Sequence, residues 1–362
     1  VAALESFYDP AWAAGWDAVG LVAGDPEAVA AEALFAIDPV EATVEEAVRR
    51  GVGLLVTHHP LLLRGVHGVP VTDYKGALVA RLVTAGVALY VAHTNADVAS
   101  PGVSDALAAA LGVVDTVPLA PDPPDEGAKV VVHVPASAAD AVLDAMAAAG
   151  AGRIGGYTRC AWSADGVGTF DAGPSTDPAV GSAGERTAVA ERRVETVVPR
   201  SRIAEVVAAL RSAHPYEEPA YDVLPTLVPH ARGLGRVGTL ASPVPLREFA
   251  ERVAAALPRT ANPVRVSGDL RRRVARVAVC GGAGDDLIDA ARRAGADVYV
   301  TADLRHHPAA EARERGLALI DAGHWATEWP WLEGAAAAVA HRVGGVRAHV
   351  STTVTDPWSP LA

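Results

Sequence analysis

Two cysteines in 362 residues, Cys160 and Cys280, are too few for a disulfide scaffold or for a multi-cysteine zinc or iron–sulfur site. Sparse cysteine suits a reducing compartment. Positive charge is also short: 31 Lys and Arg face 43 Asp and Glu, a net charge of −12. With no basic block, the chain is a poor candidate for binding nucleic acid through phosphates, although a local pocket for a small anion stays open. No uncharged apolar run reaches the roughly 18 residues of a membrane helix. Val1 to Asp9 carry two acids and no Lys or Arg, unlike the start of a signal peptide. The expected setting is cytoplasmic, with no membrane and no nucleic acid as partner. What is present is apolar: 50% of residues are hydrophobic and 20% charged, ample for packed cores. At roughly 150 residues per domain, the length suggests two or three domains.

The first third alternates short apolar runs with helical spacing. Residues 33–37, 53–57 and 87–92 read as buried strands. Residues 44–50, 74–85 and 103–111 read as helices. Such alternation predicts a parallel sheet covered on both faces. Four prolines between Pro118 and Asp125 break the rhythm and mark a linker. The next segment reads β-α-β-β-β-α-β, with strands at 129–134, 155–162, 168–171, 192–198 and 218–224 and a long mobile loop over 172–191. That order predicts a ferredoxin-like α+β module. From about Gly233 the βα rhythm returns. The simplest architecture is an α/β domain built from both chain ends, residues 1–124 and 233–362, with an α+β domain over 125–232 between them. A faint repeat links residues 52–60, ending Thr57-His58-His59-Pro60, with residues 296–301, ending Val300-Thr301, and the later His306-His307-Pro308.

The 12 histidines are unevenly placed. His58 and His59 follow one predicted strand, His93 and Asp97 a second, Asp303, His306 and His307 a third, and His324 and Glu328 a fourth. In open α/β sheets, ligands gather just past the carboxyl ends of the strands. His324 and Glu328 are four apart, so on a helix they share a face. His58 and His59 cannot point the same way on a regular strand, but at a strand end they can diverge toward two ions. His58, His59, Asp97, His324 and Glu328 are too many donors for one open tetrahedral site. They suit two divalent ions bridged by a carboxylate and a water. Without sulfur, the set fits Zn, Fe or Mn. Asp303, His306 and His307 could be outer partners, catalytic acids or surface residues.

Two further motifs read more plainly. Gly281-Gly282-Ala283-Gly284 could cradle a phosphate, but Asp285 and Asp286 follow where an anion prefers none, and a tight turn is the better reading. His214-Pro215-Tyr216-Glu217-Glu218-Pro219 could supply a third ligand site, yet its flanking prolines favour a turn.

Several segments together resemble the Nif-three-like dinuclear metal-centre family, also called the GTP cyclohydrolase I type 2 homologues. They are Gly15-Trp16-Asp17-Ala18-Val19-Gly20-Leu21, Thr57-His58-His59-Pro60, Ala92-His93-Thr94-Asn95-Ala96-Asp97, Thr301-Ala302-Asp303 with His306, and Gly323-His324-Trp325-Ala326-Thr327-Glu328. Gly168-Thr169-Phe170 and the His214 motif match within the middle segment. The resemblance spans nearly the whole chain. It implies two metal ions held by His58, His59, Asp97, His324 and Glu328, with one carboxylate bridging. It also implies a toroidal homohexamer around an internal cavity, and it makes the middle domain the PII-like insert of longer members. Ala18 stands where the family usually has Asn, and Ala302 where it usually has Gly, which leaves the substrate open.

Two functions follow. In a metal-dependent hydrolase, two ions would acidify a bridging water and supply hydroxide near neutral pH. The substrate would be GTP, opened at the purine imidazole ring, or a phosphate ester. His93, His306 or His307 would move the proton, with Asp303 beside them. In a regulatory metal-binding protein, the insert would instead sense a small molecule or dock a partner.

Overall fold

The computed structural model of the chain describes residues 1–228 and 230–359. It divides into two compact units. One joins Val1–Asp122 to Ala231–Ala362, and the other is Pro123–His230. The strands of the opening stretch are β1 (Gly20–Ala23), β2 (Glu32–Ala36), β3 (Leu54–Thr57), β4 (Ala88–Val91) and β5 (Val113–Pro121). The middle unit holds β6 (Asp125–Pro135), β7 (Ala161–Asp171), β8 (Arg186–Pro199) and β9 (Tyr221–Val228). The closing stretch adds β10 (Gly233–Pro245), β11 (Arg265–Ser267), β12 (Arg273–Ala283), β13 (Val298–Ala302), β14 (Ala318–Asp321) and β15 (Arg347–Val350).

The two-ended unit is α/β, but its strands form two mixed sheets rather than one parallel sheet. Their orders are β1-β4-β3-β2-β15 and β11-β14-β13-β12-β10-β5. Parallel pairing joins β4, β3, β2 and β15 in the first sheet, and β12, β13 and β14 in the second. The flanking pairs of β1, β5, β10 and β11 are antiparallel. The reason is clearest at β5 and β10. The chain leaves toward the middle unit along β5 and returns along β10, with Pro121 opposite Gly233. The proline-rich stretch expected to be a linker is therefore strand as far as Pro121. β5 is an edge strand, where a missing N–H is tolerated. The sheets also exchange ends: β5 lies in the second and β15 in the first.

Alternation along the strands sorts side chains to opposite faces. In the first sheet Phe35, Val56 and Tyr90 face a central core, while Leu34, Leu55 and Leu89 face a second core with helices Glu41–Arg50 and Tyr74–Thr84. In the second sheet Val279, Val300 and Ile320 face that same central core, and Ala278, Tyr299 and Leu319 face a third. Helices Val103–Ala110, Leu246–Ala256 and Trp331–Val343 supply the central layer through Leu107, Phe249 and Leu332. All of these residues are fully or nearly fully buried. Helix Glu41–Arg50 begins before the expected Val44, because Thr43 accepts from the Val40 N–H. It ends where Gly51 takes φ 67°, a left-handed cap that suits glycine.

The middle unit runs β6, helix Ala139–Ala148, β7, β8, helix Ile203–Ala213, β9, in the order β7-β8-β6-β9 with antiparallel neighbours. This β-α-β-β-α-β path has one strand fewer than expected. The two strands expected at 155–162 and 168–171 are one strand, β7, which begins at Ala161 and runs unbroken to Asp171. Asp165 lies opposite Arg192 and accepts from its Nε at 2.8 Å. The loop expected over 172–191 is shorter, because β8 begins at Arg186. Among the described residues no helix is long and apolar enough to cross a membrane.

Candidate metal centre

The carboxyl ends of β3 and β4 in one sheet and of β14 in the other deliver histidines to one place. The ladder of β3 continues past Thr57: His58 N–H donates to Ala36 O and His59 N–H to Ile37 O. Both histidines are thus pinned by backbone. Glu328 reaches in from the short helix His324–Glu328 and sits between three rings. Its Oε1 is 3.0 Å from His324 Nε2 and 3.5 Å from His58 Nε2, and its Oε2 is 3.2 Å from His59 Nε2. Asp97 Oδ1 stands 3.7 Å from His58 Nε2. Two groups of donors have all their atoms within 4.8 Å of one another: His58 with His59 and His93, and His59 with His324 and Glu328. His59 belongs to both.

Every histidine is held from behind. His58 Nδ1 bonds the Ala92 carbonyl at 2.9 Å, His59 Nδ1 bonds Asp38 at 2.7 Å, His93 Nδ1 bonds Asp17 at 2.9 Å and His324 Nδ1 bonds Asp303 at 2.7 Å. An acceptor at Nδ1 fixes the tautomer and leaves Nε2 with a lone pair for a cation. Asp17 is in turn fixed by the Thr94 N–H, and Asp38 by the Thr355 hydroxyl.

Charge in the cluster is arranged around Glu328. Burial disfavours its ionised form, but His59 and His58 beside it hold it well below the usual carboxylate range. Burial opposes protonating His58 and His59, yet Glu328 raises both. Burial likewise opposes His324, which Glu328 and Asp303 nevertheless raise to about 9. Burial pushes Asp97 up to about 6 against the pull of His58. Burial and the neighbouring His58 push His93 down to about 4 despite Asp17. Two buried polar atoms here, His58 Nε2 and Glu328 Oε2, lack a hydrogen-bond partner. Buried polar atoms are seldom left so. Imidazoles that give up their protons to a cation, carboxylates and absent sulfur make a donor set for a divalent transition metal.

The structure gathers His58, His59, His93, Asp97, His324 and Glu328. Asp303 lies behind His324, with its side chain 58% exposed. His306 and His307 are outside the cluster: they open helix His306–Glu314, exposed, with their rings 5.2 Å apart. Asp38 and Asp17 carry roles that sequence reading did not assign, and His93 stands among the donors. The only forward signal for Asp17 was its motif, and for Asp38 there was none. Ala302 is accommodated because the left-handed residue is Asp303, at φ 55°.

The Gly281–Gly284 segment is neither a phosphate cradle nor a tight turn. β12 runs on to Ala283, and the Gly282 N–H is taken by the Thr327 hydroxyl at 2.9 Å. A Cβ on Gly282 would sit 2.4 Å from Glu328 Oε1 and 3.1 Å from His324 Nε2. The glycine therefore makes room for the cluster. His214 is also no ligand. Its Nδ1 accepts from the Tyr216 N–H and its Nε2 donates to His133 O, each at 3.0 Å.

The family model described as Duf34/NIF3 (NGG1p interacting factor 3) matches residues 1–357. A Mycobacterium tuberculosis protein named GTP cyclohydrolase 1 type 2 homolog is 50% identical over 98% of this chain and 94% of its own length. A Bacillus subtilis protein of the same name is 39% identical over 99% and 96%. The crystal structure of a Bacillus cereus protein related to NIF3 superposes with a TM-score of 0.80, at 37% identity, covering 99% of this chain and 97% of that one.

Proposed function

This chain belongs to the Duf34/NIF3 family, and from that premise we propose that its cluster is the dinuclear centre of a metal-dependent hydrolase acting on a nucleotide or another phosphate-containing substrate. The observation that carries this reading is the pair of donor groups hinged on His59, with the Glu328 carboxylate in reach of three rings. With its Nδ1 taken, each imidazole has one lone pair to give, whereas the two oxygens of Glu328 reach different rings and could serve two ions.

His58, His59, Asp97, His324 and Glu328 would hold the ions, with Zn, Fe or Mn all compatible with such donors. Two bound cations would acidify a water and polarise the scissile group. The remaining work falls to the chain. Asp38, Asp303 and the Ala92 carbonyl orient the rings that hold the ions. His93, aimed by Asp17 beside His58 and His59, is a ring left over for proton transfer; with its pKa held down to about 4 by burial, it would pass a proton on rather than keep it at pH 7. The relatives' name points to GTP as the first nucleotide to assay. The family premise also supports a toroidal homohexamer in the cytoplasm. The β-α-β-β-α-β path of Pro123–His230 supports a PII-like insert.

The test is metal content of protein purified without chelator, followed by turnover of GTP and of a generic phosphodiester before and after stripping. About two equivalents are expected, and His59→Ala should lose metal and turnover together. Turnover that survives complete stripping overturns the hydrolase reading. Full metal with no turnover leaves the second reading, a regulatory metal-binding protein, which the ligand-sized groove in the middle unit favours.

A further inference from the structure

The two motifs that the metal centre does not use meet in the middle unit. Gly168-Thr169-Phe170 on β7 and the turn after His214 both line a groove of about 700 Å³, a size that suits a small organic ligand. The His214 hydrogen bonds clamp this turn to β6 and deliver Tyr216 to the wall. There the Tyr216 ring stands 6.3 Å from that of Phe170 at 63°, edge to face. Val167, Ala172, Pro178 and Ala179 extend the apolar lining.

One polar group in this apolar setting has no counter-charge. Glu191 is half-buried, and its Oε2 lies 2.1 Å from where a Gly168 Cβ would be. Gly168 therefore opens the space that its carboxylate fills. The buried Tyr216 hydroxyl stands beside that carboxylate: burial, and then Glu191, push its pKa up to about 12. The other charges on the walls are engaged or exposed. Asp165 pairs with Arg192, Glu218 with Arg211, and Glu217 accepts from the Asp177 N–H. The cation on the wall, Arg193, is turned to Glu195 at 2.9 Å. Asp171 lies exposed at the rim, and His133 completes the lining. Acids thus outnumber bases around two aromatic rings.

We propose that this groove is a binding site for a small organic cation with an apolar body, its ammonium held by Glu191 and by the faces of Phe170 and Tyr216. A carboxylate neutralises the charge, aromatic faces attract it through their quadrupoles, and the apolar wall takes the rest of the molecule. The site is separate from the metal centre and does not depend on the hydrolase reading.

The test uses the full chain and three probes of similar shape: phenethyltrimethylammonium, neutral phenethyl alcohol and anionic 3-phenylpropionate. Calorimetric titration should give the cation a roughly millimolar or tighter dissociation constant, with the alcohol about ten-fold weaker and the anion weaker still. Glu191→Gln should weaken the cation about ten-fold while metal content stays unchanged. Proton spectra of the unaltered protein should show the Phe170 and Tyr216 rings shifting on titration, a readout that needs no variant to fold. No binding of the cation, equal binding of the alcohol, preference for the anion, or shifts confined to other rings overturns the proposal.

Discussion

Two strand ends in this protein carry similar sequences and do different work. Thr57-His58-His59-Pro60 ends β3, and Thr301-Ala302-Asp303 with His306-His307-Pro308 ends β13. At the first, backbone bonds to Ala36 and Ile37 hold both histidines on the ladder, and both face Glu328. At the second, Asp303 turns the chain at φ 55°, and the histidine pair falls three residues later on an exposed helix. Only Asp303 stays in touch with the cluster, through His324. A histidine pair joins a cluster of donors where the ladder pins it, and is a surface feature once a turn intervenes. Side-chain type alone does not distinguish the two.

Breaking the pinned side should cost most. Glu328→Gln keeps the shape but removes the charge shared by three rings. Metal content after desalting should fall below about a tenth of the parent value, since affinity depends on deprotonated donors; parent-level metal would show that Glu328 is not a ligand. Gly282→Ala comes next. Its Cβ would push Glu328 Oε1 away from 2.4 Å, and the left-handed φ adds about 1 kcal/mol. Roughly a hundred-fold loss of metal affinity is expected in a competition titration, and an unchanged affinity would mean that the carboxylate has another seat.

Acidity offers a third way to probe the same side. His324 is raised to about 9, so near neutral pH its proton occupies the place a cation needs. Below that pKa the proton competes, and above it competition ends. Apparent metal affinity should therefore climb as pH rises toward about 9, by up to about ten-fold per unit for each proton displaced. A chelator-competition series from pH 6 to 9 checks this, and a flat profile contradicts it.

The orienting carboxylates then sharpen the contrast between the strand ends. Asp38→Asn and Asp303→Asn should each lower metal affinity about 10- to 100-fold. Asp38 should cost more, because its side chain is 23% exposed against 58% for Asp303. The reverse order would make Asp303 the dominant orienter. Smallest of all should be His306→Ala and His307→Ala, with metal content unchanged and stability within about 0.5 kcal/mol by thermal melting. If either abolishes turnover with metal intact, the free strand end is catalytic and the contrast fails.

Much of this was legible beforehand. Strands such as Leu54–Thr57 and Ala318–Asp321 are short apolar runs bounded by turn residues, and their length favours a strand over a helix. The side chains His58, His59, Asp97, His324 and Glu328 could be picked out because metal donors are few in type and cluster just past strands. Asp38 could not. It bonds His59 across 21 residues of sequence, and nothing local distinguishes it from the chain's other acids. The break expected between 162 and 168 was absent for a related reason: β8 pairs with every residue from Ala161 to Asp171.

From the sequence itself came the alternation of elements, the lack of a sulfur site and the list of candidate donors. These depend on residue type and spacing, which are local properties. Only the tertiary structure decided that the strands form two sheets exchanging β5 and β15, that His306 and His307 stay outside, and that Gly282 must lack a side chain. Those outcomes depend on distances between residues far apart in the chain, and such distances exist only once the chain has packed.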